Sequence, residues 1–166
     1  MSDVLEKHLP MLYRTAWMLT GNEADAQDLA HDAMVSALTS LGRFRGEAKI
    51  SSWLAAIVIN RYRTWRRARD VRRRLQPEVE ARAAAPIEEP SREAERREET
   101  EAIRRALERL DEDHRMVVVL SIYQGLDSTE IGRILDRSPG TVRSQLFSAR
   151  EKLREYLSEI RHERRP

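Results

Sequence analysis

The chain has 166 residues, a length that fits one medium domain or two small ones. Charged residues make up 35% and aromatic residues 5%, which suits small helical units with thin cores. The sequence holds no cysteine, which excludes disulfides and thiolate metal sites, and its apolar runs are too short for a membrane span or signal peptide. We therefore expect a soluble, cytoplasmic protein that needs no cofactor.

The charge is unevenly distributed, although the net charge is only +2. Residues 61–74 hold eight arginines against one aspartate, whereas residues 76–100 hold eight glutamates against four arginines. A basic block predicts a polyanionic partner, and the acidic block that follows indicates either a basic partner surface or a solvated linker.

Three helices are predicted in the N-terminal half. The first runs from about Val4 to Thr20, with Pro10 either kinking it or marking its start, and Gly21 ends it. Asn22 can cap a second helix over about 23–41. After a short loop, Ser51 or Ser52 is expected to cap a third helix that continues into the basic block, with Trp53 on its buried side.

The helical pattern fails between residues 74 and 98, where three prolines and mixed charge predict a flexible linker. Apolar periodicity returns with Ile103, Leu107 and Leu110, and Asp111 is expected to cap the next helix. The sequence therefore predicts an all-α protein of two small domains joined by a linker.

Residues 126–150 predict two short helices with a tight break between them. Asp127 and Glu130 have the spacing of a capping box, and Ser138 followed by Pro139 is typical of a second helix start. The apolar positions then leave a polar outer face near the start of this second helix: Thr141, Arg143, Ser144, Gln145 and Ser148. A helix-turn-helix reads DNA bases at this position, although an ordinary helical hairpin would show the same pattern.

Five segments, at 22–32, 43–60, 61–67, 110–116 and 140–144, resemble in their order the extracytoplasmic-function group of the sigma-70 family. These bacterial transcription initiation factors consist of two helical domains, region 2 and region 4. The resemblance implies region 2 at residues 1–73, a linker at 74–98 and a helix-turn-helix region 4 at 99–166. It also implies a factor that binds core RNA polymerase, directs it to −35 and −10 promoter elements and promotes promoter melting.

An acidic helix face precedes the basic block. Carboxylates beside His31 would allow a metal site, and a plain solvated face is a second interpretation. The resemblance implies a third: this face docks on the clamp helices of the β′ subunit, while the β flap and an anti-sigma factor are further expected partners. We call these residues the acidic surface: Asp25, Asp28 and Asp32.

The loop and helix around the basic block are expected to bind the −10 element. Capturing single-stranded bases takes aromatic or apolar pockets, polar groups that read base edges, and arginines for phosphates. By resemblance, Phe44 and Asn60 help to form the pocket of a flipped base, although Asn60 could instead cap local backbone groups. Tyr62 is a possible stacking group, and Trp65 is either a stacking group or a core residue. The −10 surface is defined as Phe44, Lys49, Ile50, Ser51, Asn60, Arg61, Arg63, Trp65 and Arg66.

The second helix of the pair is expected to bind the −35 element. By resemblance, Arg143 and Ser144 read bases. Thr141 suits a phosphate, and Arg150 either contacts a phosphate or pairs with Glu151 or another nearby acid. Relatives often carry basic residues where this chain has Gln145 and Ser148, and glutamine can read adenine through two hydrogen bonds. The −35 surface is defined as Thr141, Arg143, Ser144, Gln145, Phe147, Ser148 and Arg150.

Three other classes of function fit the sequence less well. A dimeric helix-turn-helix regulator of duplex DNA would not need the N-terminal segments. A hydrolase or metal-dependent helical enzyme would need a nucleophile and base or clustered ligands, but the four histidines are scattered. A helical adaptor leaves the basic block unexplained. We therefore expect neither an enzyme nor a small-molecule substrate.

Overall fold

The structure is a computed structural model in which residues 2–75 and 92–163 are described. These residues form seven α-helices and one 3-10 turn, and none of them lies in a strand, which confirms the all-α prediction. In chain order the elements are α1 (Ser2–Thr20), α2 (Glu23–Ser40), the 3-10 turn (Leu41–Arg43), α3 (Ile50–Leu75), α4 (Arg92–Glu108), α5 (Glu112–Ile122), α6 (Ser128–Leu135) and α7 (Pro139–Glu163).

The N-terminal domain is a bundle of α1, α2 and α3. Large apolar side chains of α1 and α3 meet small ones of α2 in its core. Because alanine has little volume, the α2 backbone can approach its neighbours closely, and the aligned apolar stripes bury one another. The fully buried residues include Leu12, Leu19, Ala26, Ala33, Ala37, Leu54, Val58 and Tyr62.

The predicted helix boundaries hold for α1 and α2. The side chain of Asn22 accepts a hydrogen bond from the backbone N–H of Asp25 at 3.1 Å, which confirms the cap. Gly21 ends α1 with φ at +72°, a conformation that favours glycine. Pro10 lies within the continuous helix α1 and does not mark its start.

The predicted start of α3 is wrong. The helix begins at Ile50, and the backbone N–H of Trp53 donates to the carbonyl of Lys49 at 3.1 Å. Neither Ser51 nor Ser52 is therefore the cap. Ser52 is buried, and its hydroxyl donates to Glu130 Oε1 of α6 at 3.2 Å. The Ser52 side chain is therefore bonded to a residue far away in the sequence and not to the start of its own helix.

The C-terminal domain packs α4, α5 and α6 against α7. Its buried residues include Leu107, Met116, Leu120, Ile131, Leu135, Val142 and Leu146. Asp111 caps α5, as predicted, by accepting from the backbone N–H of His114 at 3.0 Å. Partial burial acts to raise the pKa of Asp111, but hydrogen bonds from His114 and Lys152 outweigh it and lower the pKa to about 2.

The turn between α6 and α7 is tight and has a defined backbone. Asp127 and Glu130 form the predicted capping box at the start of α6, and Asp136 ends the helix with φ at +57°. The next N–H, that of Arg137, donates to the carbonyl of Gly132 at 2.9 Å. A Cβ atom on Gly132 would lie 2.5 Å from the Arg137 carbonyl oxygen, so this close approach requires glycine.

The two domains contact each other through polar groups at helix ends. Arg104 donates to the carbonyl of Gly21 at 3.0 Å, and Arg115 donates to that of Leu19 at 3.2 Å, so two cations cover the C-terminal end of α1. In the opposite direction, Arg63 of α3 donates to the carbonyl of Leu135, the last residue of α6, at 3.5 Å.

Helix α3 continues to Leu75 and α4 begins at Arg92, so both ends of the predicted linker are helical. Residues 76–91, the middle of that linker, lie outside the described residues, and the predicted domain boundaries stay a prediction. No helix in the described ranges is both long and apolar enough to cross a membrane.

Candidate nucleic-acid interface

An aromatic pair anchors the loop of the −10 surface. Phe44 follows the 3-10 turn, and its ring centroid lies 5.0 Å from that of Trp53 in α3 at an interplanar angle of 42°. Both side chains are half-buried. Trp53 packs against the core, as predicted, and supports Phe44 from below, so the exposed part of Phe44 is a rigid apolar surface on which a base can stack.

Asn60 lies on the same face of α3 as Trp53. The two residues are seven positions apart, which is two helical turns and about 10 Å along the axis. Asn60 is exposed, with half-buried Ile57 between it and the aromatic pair. The −10 surface therefore combines an aromatic platform, an apolar strip and an exposed amide along one side of α3.

Arginines of the −10 surface differ in their surroundings. Arg61 is exposed, whereas Arg63 is half-buried and bonded to the carbonyl of Leu135. The Nε atom of Arg66 lies 3.9 Å from the Oε2 atom of Glu112 in α5. Of these three arginines, Arg61 is thus the one whose side chain is exposed.

The two aromatic residues of the basic block are not equivalent. Tyr62 is fully buried, and burial raises the pKa of its hydroxyl, so the prediction that it stacks on DNA is wrong. It stacks on Trp65 instead, with ring centroids 5.8 Å apart. Trp65 is half-buried, with the Arg69 guanidinium 5.2 Å from the centre of its ring. The Trp65 ring therefore lies between the buried Tyr62 and Arg69 of the basic block.

The start of α7 carries most of the −35 surface. The Ser138 hydroxyl accepts from the backbone N–H of Thr141 at 3.0 Å and so caps the helix, as predicted. Phe147 is 71% exposed, which is unusual for so large an apolar side chain. Five side chains of this surface are exposed together: Thr141, Arg143, Ser144, Phe147 and Arg150.

Gln145 and Ser148 are half-buried at the edge of this face, whereas the other five predicted residues are exposed. Gln145 Oε1 accepts a hydrogen bond from Nη1 of Arg137 at 2.9 Å, and Nη2 of Arg137 is paired with Asp113 of α5. The sequence pattern identified Arg137 only as a helix break. Its spacing gave no signal that its side chain joins α5 to α7, since that contact depends on the tertiary fold.

The acidic surface on α2 is partly neutralised within the domain. Asp28 and Asp32 are exposed, but Asp25 is half-buried, with its Oδ2 3.8 Å from Nη1 of Arg69. Two exposed apolar residues, Val35 and Leu38, follow on the same helix. Within the described ranges no group of three metal-binding side chains converges, His31 included. An exposed acidic and apolar strip of this kind suits a protein partner with a basic surface.

Comparison with known proteins covers both domains. The family model described as sigma-70 region 2 matches residues 4–72, and the one described as sigma-70 region 4 matches residues 100–153. The chain is 34% identical over 158 residues to the ECF RNA polymerase sigma factor SigM of Mycobacterium tuberculosis, covering 93% of this chain and 76% of that protein. It is also 34% identical over 149 residues to the RNA polymerase sigma-H factor of Pseudomonas aeruginosa, covering 84% and 76%.

The fold agrees with that of a solved sigma factor. The sigma factor RpoE of Bartonella quintana, in complex with the anti-sigma factor NepR, aligns with a TM-score of 0.80 at 24% identity, over 95% of this chain and 96% of that one. Two family models matched in order, together with relatives similar along most of the sequence, establish that the chain belongs to the extracytoplasmic-function group of the sigma-70 family of RNA polymerase sigma factors.

Proposed function

We propose that this protein is the promoter-specificity subunit of a bacterial RNA polymerase holoenzyme, with each of its surfaces taking one part of initiation. The acidic surface docks on the β′ clamp helices, the −10 surface captures the melted strand, and the −35 surface reads duplex DNA. The single observation that carries this proposal is the presence, on one chain, of an exposed helix-turn-helix reader and a separate aromatic platform beside a basic helix.

The −10 surface suits single-stranded DNA. Phe44 is held by Trp53, so stacking a base on it costs little side-chain entropy. Asn60 offers both a donor and an acceptor for the edge of an unpaired base, and the exposed Arg61 suits the backbone phosphates. These groups favour the strand after melting, because its bases are then free to leave the stack.

The −35 surface suits duplex DNA. Its exposed residues lie in the first three turns of α7, the part of a recognition helix that enters the major groove. Arg143 can donate two hydrogen bonds to guanine, and Phe147 can contact a thymine methyl group. Thr141, next to the capped helix start, suits a phosphate.

Core polymerase supplies RNA synthesis, and we propose that this protein binds to it through both domains. We assign the acidic surface to the clamp helices and expect a second contact between residues 99–166 and the β flap. The solved relatives RpoE and CnrH were crystallised with NepR and with the cytosolic domain of CnrY, so an anti-sigma protein is a further proposed partner. We propose that the protein acts in the cytoplasm and catalyses no covalent step itself.

The test is reconstituted transcription. The full-length protein, mixed with bacterial core RNA polymerase and a promoter library, is expected to yield transcripts from templates that share a −35 and a −10 element. A variant with Asp28→Lys and Asp32→Lys is expected to lose core binding while keeping its helical circular dichroism, because both side chains are exposed. Glu99→Lys, an exposed charge reversal on α4, is the matched control.

Transcription that proceeds equally with the double variant would refute the clamp assignment. Specific duplex binding by a dimer without core polymerase, and no transcription with it, would favour the helix-turn-helix regulator instead.

A further inference from the structure

One side-chain contact that the proposed function leaves unexplained joins the turn between α6 and α7 to α7 itself. Gln145 is a half-buried residue of the −35 surface, and its amide oxygen is bonded to Arg137. We propose that Arg137 sets the base preference of Gln145, so that this position of α7 selects guanine and rejects adenine. This inference rests on the proposed function, since it assumes that α7 reads the −35 element.

Arg137 is well placed to fix the amide. Its backbone is held in the tight turn by the bond to Gly132, and its side chain is only 18% exposed. Asp113 binds one terminal nitrogen of the guanidinium, which leaves the other directed at Gln145. Because three elements hold this side chain, it is a rigid donor.

The orientation of the Gln145 amide follows from the chemistry of arginine. A guanidinium has five N–H donors and no acceptor, so the group that faces it is the amide oxygen and not the NH2 group. Oε1 accepts from Nη1 at 2.9 Å. Nε2 is then the free end, and it makes no hydrogen bond to any side chain or backbone group within residues 2–75 and 92–163.

A donor-only end changes which base can be read. Adenine is read by glutamine through both ends of the amide, with Nε2 donating to N7 and Oε1 accepting from the N6 amino group. Arg137 occupies one of the two acceptor positions of Oε1 and places its positive charge beside the other, so the N6 amino group of adenine, a donor, is disfavoured there. Guanine presents two acceptors, N7 and O6, on its major-groove edge, so it suits both the Nε2 donor and the nearby positive charge of Arg137.

The experiment compares base preferences of the holoenzyme on a promoter library randomised over the −35 region. Wild-type protein is expected to prefer guanine over adenine by about tenfold at one position, and Gln145→Ala to remove that preference. Arg137→Ala removes the positive charge beside Oε1 and is expected to shift the same position to adenine. Arg154→Ala, which removes a 75% exposed arginine farther along α7, is the control and is expected to change nothing.

A second variant tests the idea without disturbing the turn. In Gln145→Glu one carboxylate oxygen keeps the bond to Arg137, and the free oxygen is an acceptor instead of a donor. The preference at the same position is then expected to change to cytosine, whose N4 amino group donates. This variant keeps the proposal testable if Arg137→Ala does not fold.

Three results would overturn the proposal. If Gln145→Ala changes no base preference while Arg143→Ala does, α7 reads DNA without Gln145, and the proposed function stands. If Gln145→Ala weakens binding evenly for all sequences, Nε2 contacts a phosphate and not a base. If the wild-type holoenzyme selects no base in this region, the −35 assignment itself fails.

Discussion

The −10 and −35 surfaces differ in how much of each the protein already contacts by itself. In the −10 surface, Arg63 is bonded to the end of α6, Arg66 lies near Glu112, and the neighbouring Ser52 is bonded to Glu130. In the −35 surface, Arg143 and Arg150 are exposed. The C-terminal domain thus covers part of the −10 surface, whereas the −35 surface faces solvent.

This difference shows that a count of basic residues does not give the DNA-binding capacity of a surface. The arginines of residues 61–74 were predicted as one polyanion-binding block, but some of them neutralise helix ends or carboxylates within the protein. Contact of Arg63 with the −10 strand therefore competes with its hydrogen bond to Leu135. The two surfaces should therefore respond differently to substitutions at the domain contact.

The largest effect is expected from Arg115→Ala, which removes one of the contacts between the domains. The Arg115 guanidinium donates to four carbonyls, those of Leu19, Leu107, Glu108 and Leu110. Its loss leaves carbonyls at two helix ends without a charged donor, so we expect the free energy of unfolding to fall by about 3 kcal/mol. Urea unfolding measures this, and small-angle scattering tests whether the domains separate.

The control for Arg115 is Arg105→Ala, a half-exposed arginine of α4 that pairs with Glu101 and is expected to cost below about 1 kcal/mol. Equal stability of the two variants would contradict the view that Arg115 holds the domains together.

Phe44→Ala is expected to affect the −10 surface alone. Loss of the stacking platform should disfavour the open complex by about 1–3 kcal/mol, and Asn60→Ala should act in the same direction. Permanganate reactivity of unpaired thymines near −10 measures the open complex. Phe147→Ala removes the only other phenylalanine and is the matched control, expected to weaken duplex binding at −35 instead. If both variants lose both properties, the two surfaces are not separate.

Arg143→Ala is expected to affect the −35 surface alone. If Arg143 reads a base through two hydrogen bonds, binding should weaken by about 1–3 kcal/mol and discrimination should relax at one position. If it contacts a phosphate, affinity should fall evenly and the salt dependence should shrink by about one unit of slope. Titrations of the holoenzyme with point-mutated −35 duplexes at several salt concentrations distinguish the two, and wild-type behaviour throughout would exclude Arg143 as a reader.

The smallest effect is expected at the cap of α5. Asp111→Ala removes the cap and should lower the free energy of unfolding by about 1 kcal/mol. Because the folded-state pKa of Asp111, about 2, lies below its ordinary value of 3.8, its charged form stabilises the fold above about pH 4. That stabilisation is lost as the pH falls from about 4 to 2.

Thermal unfolding across this pH range measures the Asp111 effect. Asp111→Asn should keep the cap but lose its pH dependence, since an amide does not titrate. An unchanged pH profile for this variant would show that other carboxylates govern the acid transition.

Local features of the fold were predictable from the sequence. Capping by Asn22, Asp111 and Asp127 depends on residues three positions apart, and all three caps are present. Contacts between distant segments were not predictable in the same way. Ser52, one of the two predicted caps of α3, contacts Glu130 instead, and Tyr62, a possible stacking group for DNA, is buried in the core.

The candidate surfaces show the same difference between local patterns, which were predictable, and contacts of distant residues, which were not. The exposed face of α7 followed from its apolar period, and five of its seven predicted residues are exposed. The bond between Gln145 and Arg137 did not follow, because no periodic pattern gives the direction of an arginine side chain in a turn. The partner of Phe44, Trp53, was likewise predicted as core without its role in supporting the loop.

The close approach at Gly132 has a consequence for how this protein can be re-engineered. Since the Arg137 carbonyl occupies the space of a side chain at position 132, the angle between α6 and α7 cannot be adjusted by small substitutions at that residue. New promoter preferences are therefore obtained more readily by exchanging residues of α7, or the side chain of Arg137, than by changing the angle between the two helices. A recognition-helix library that leaves the segment from Gly132 to Ser138 unchanged should yield a high proportion of folded variants.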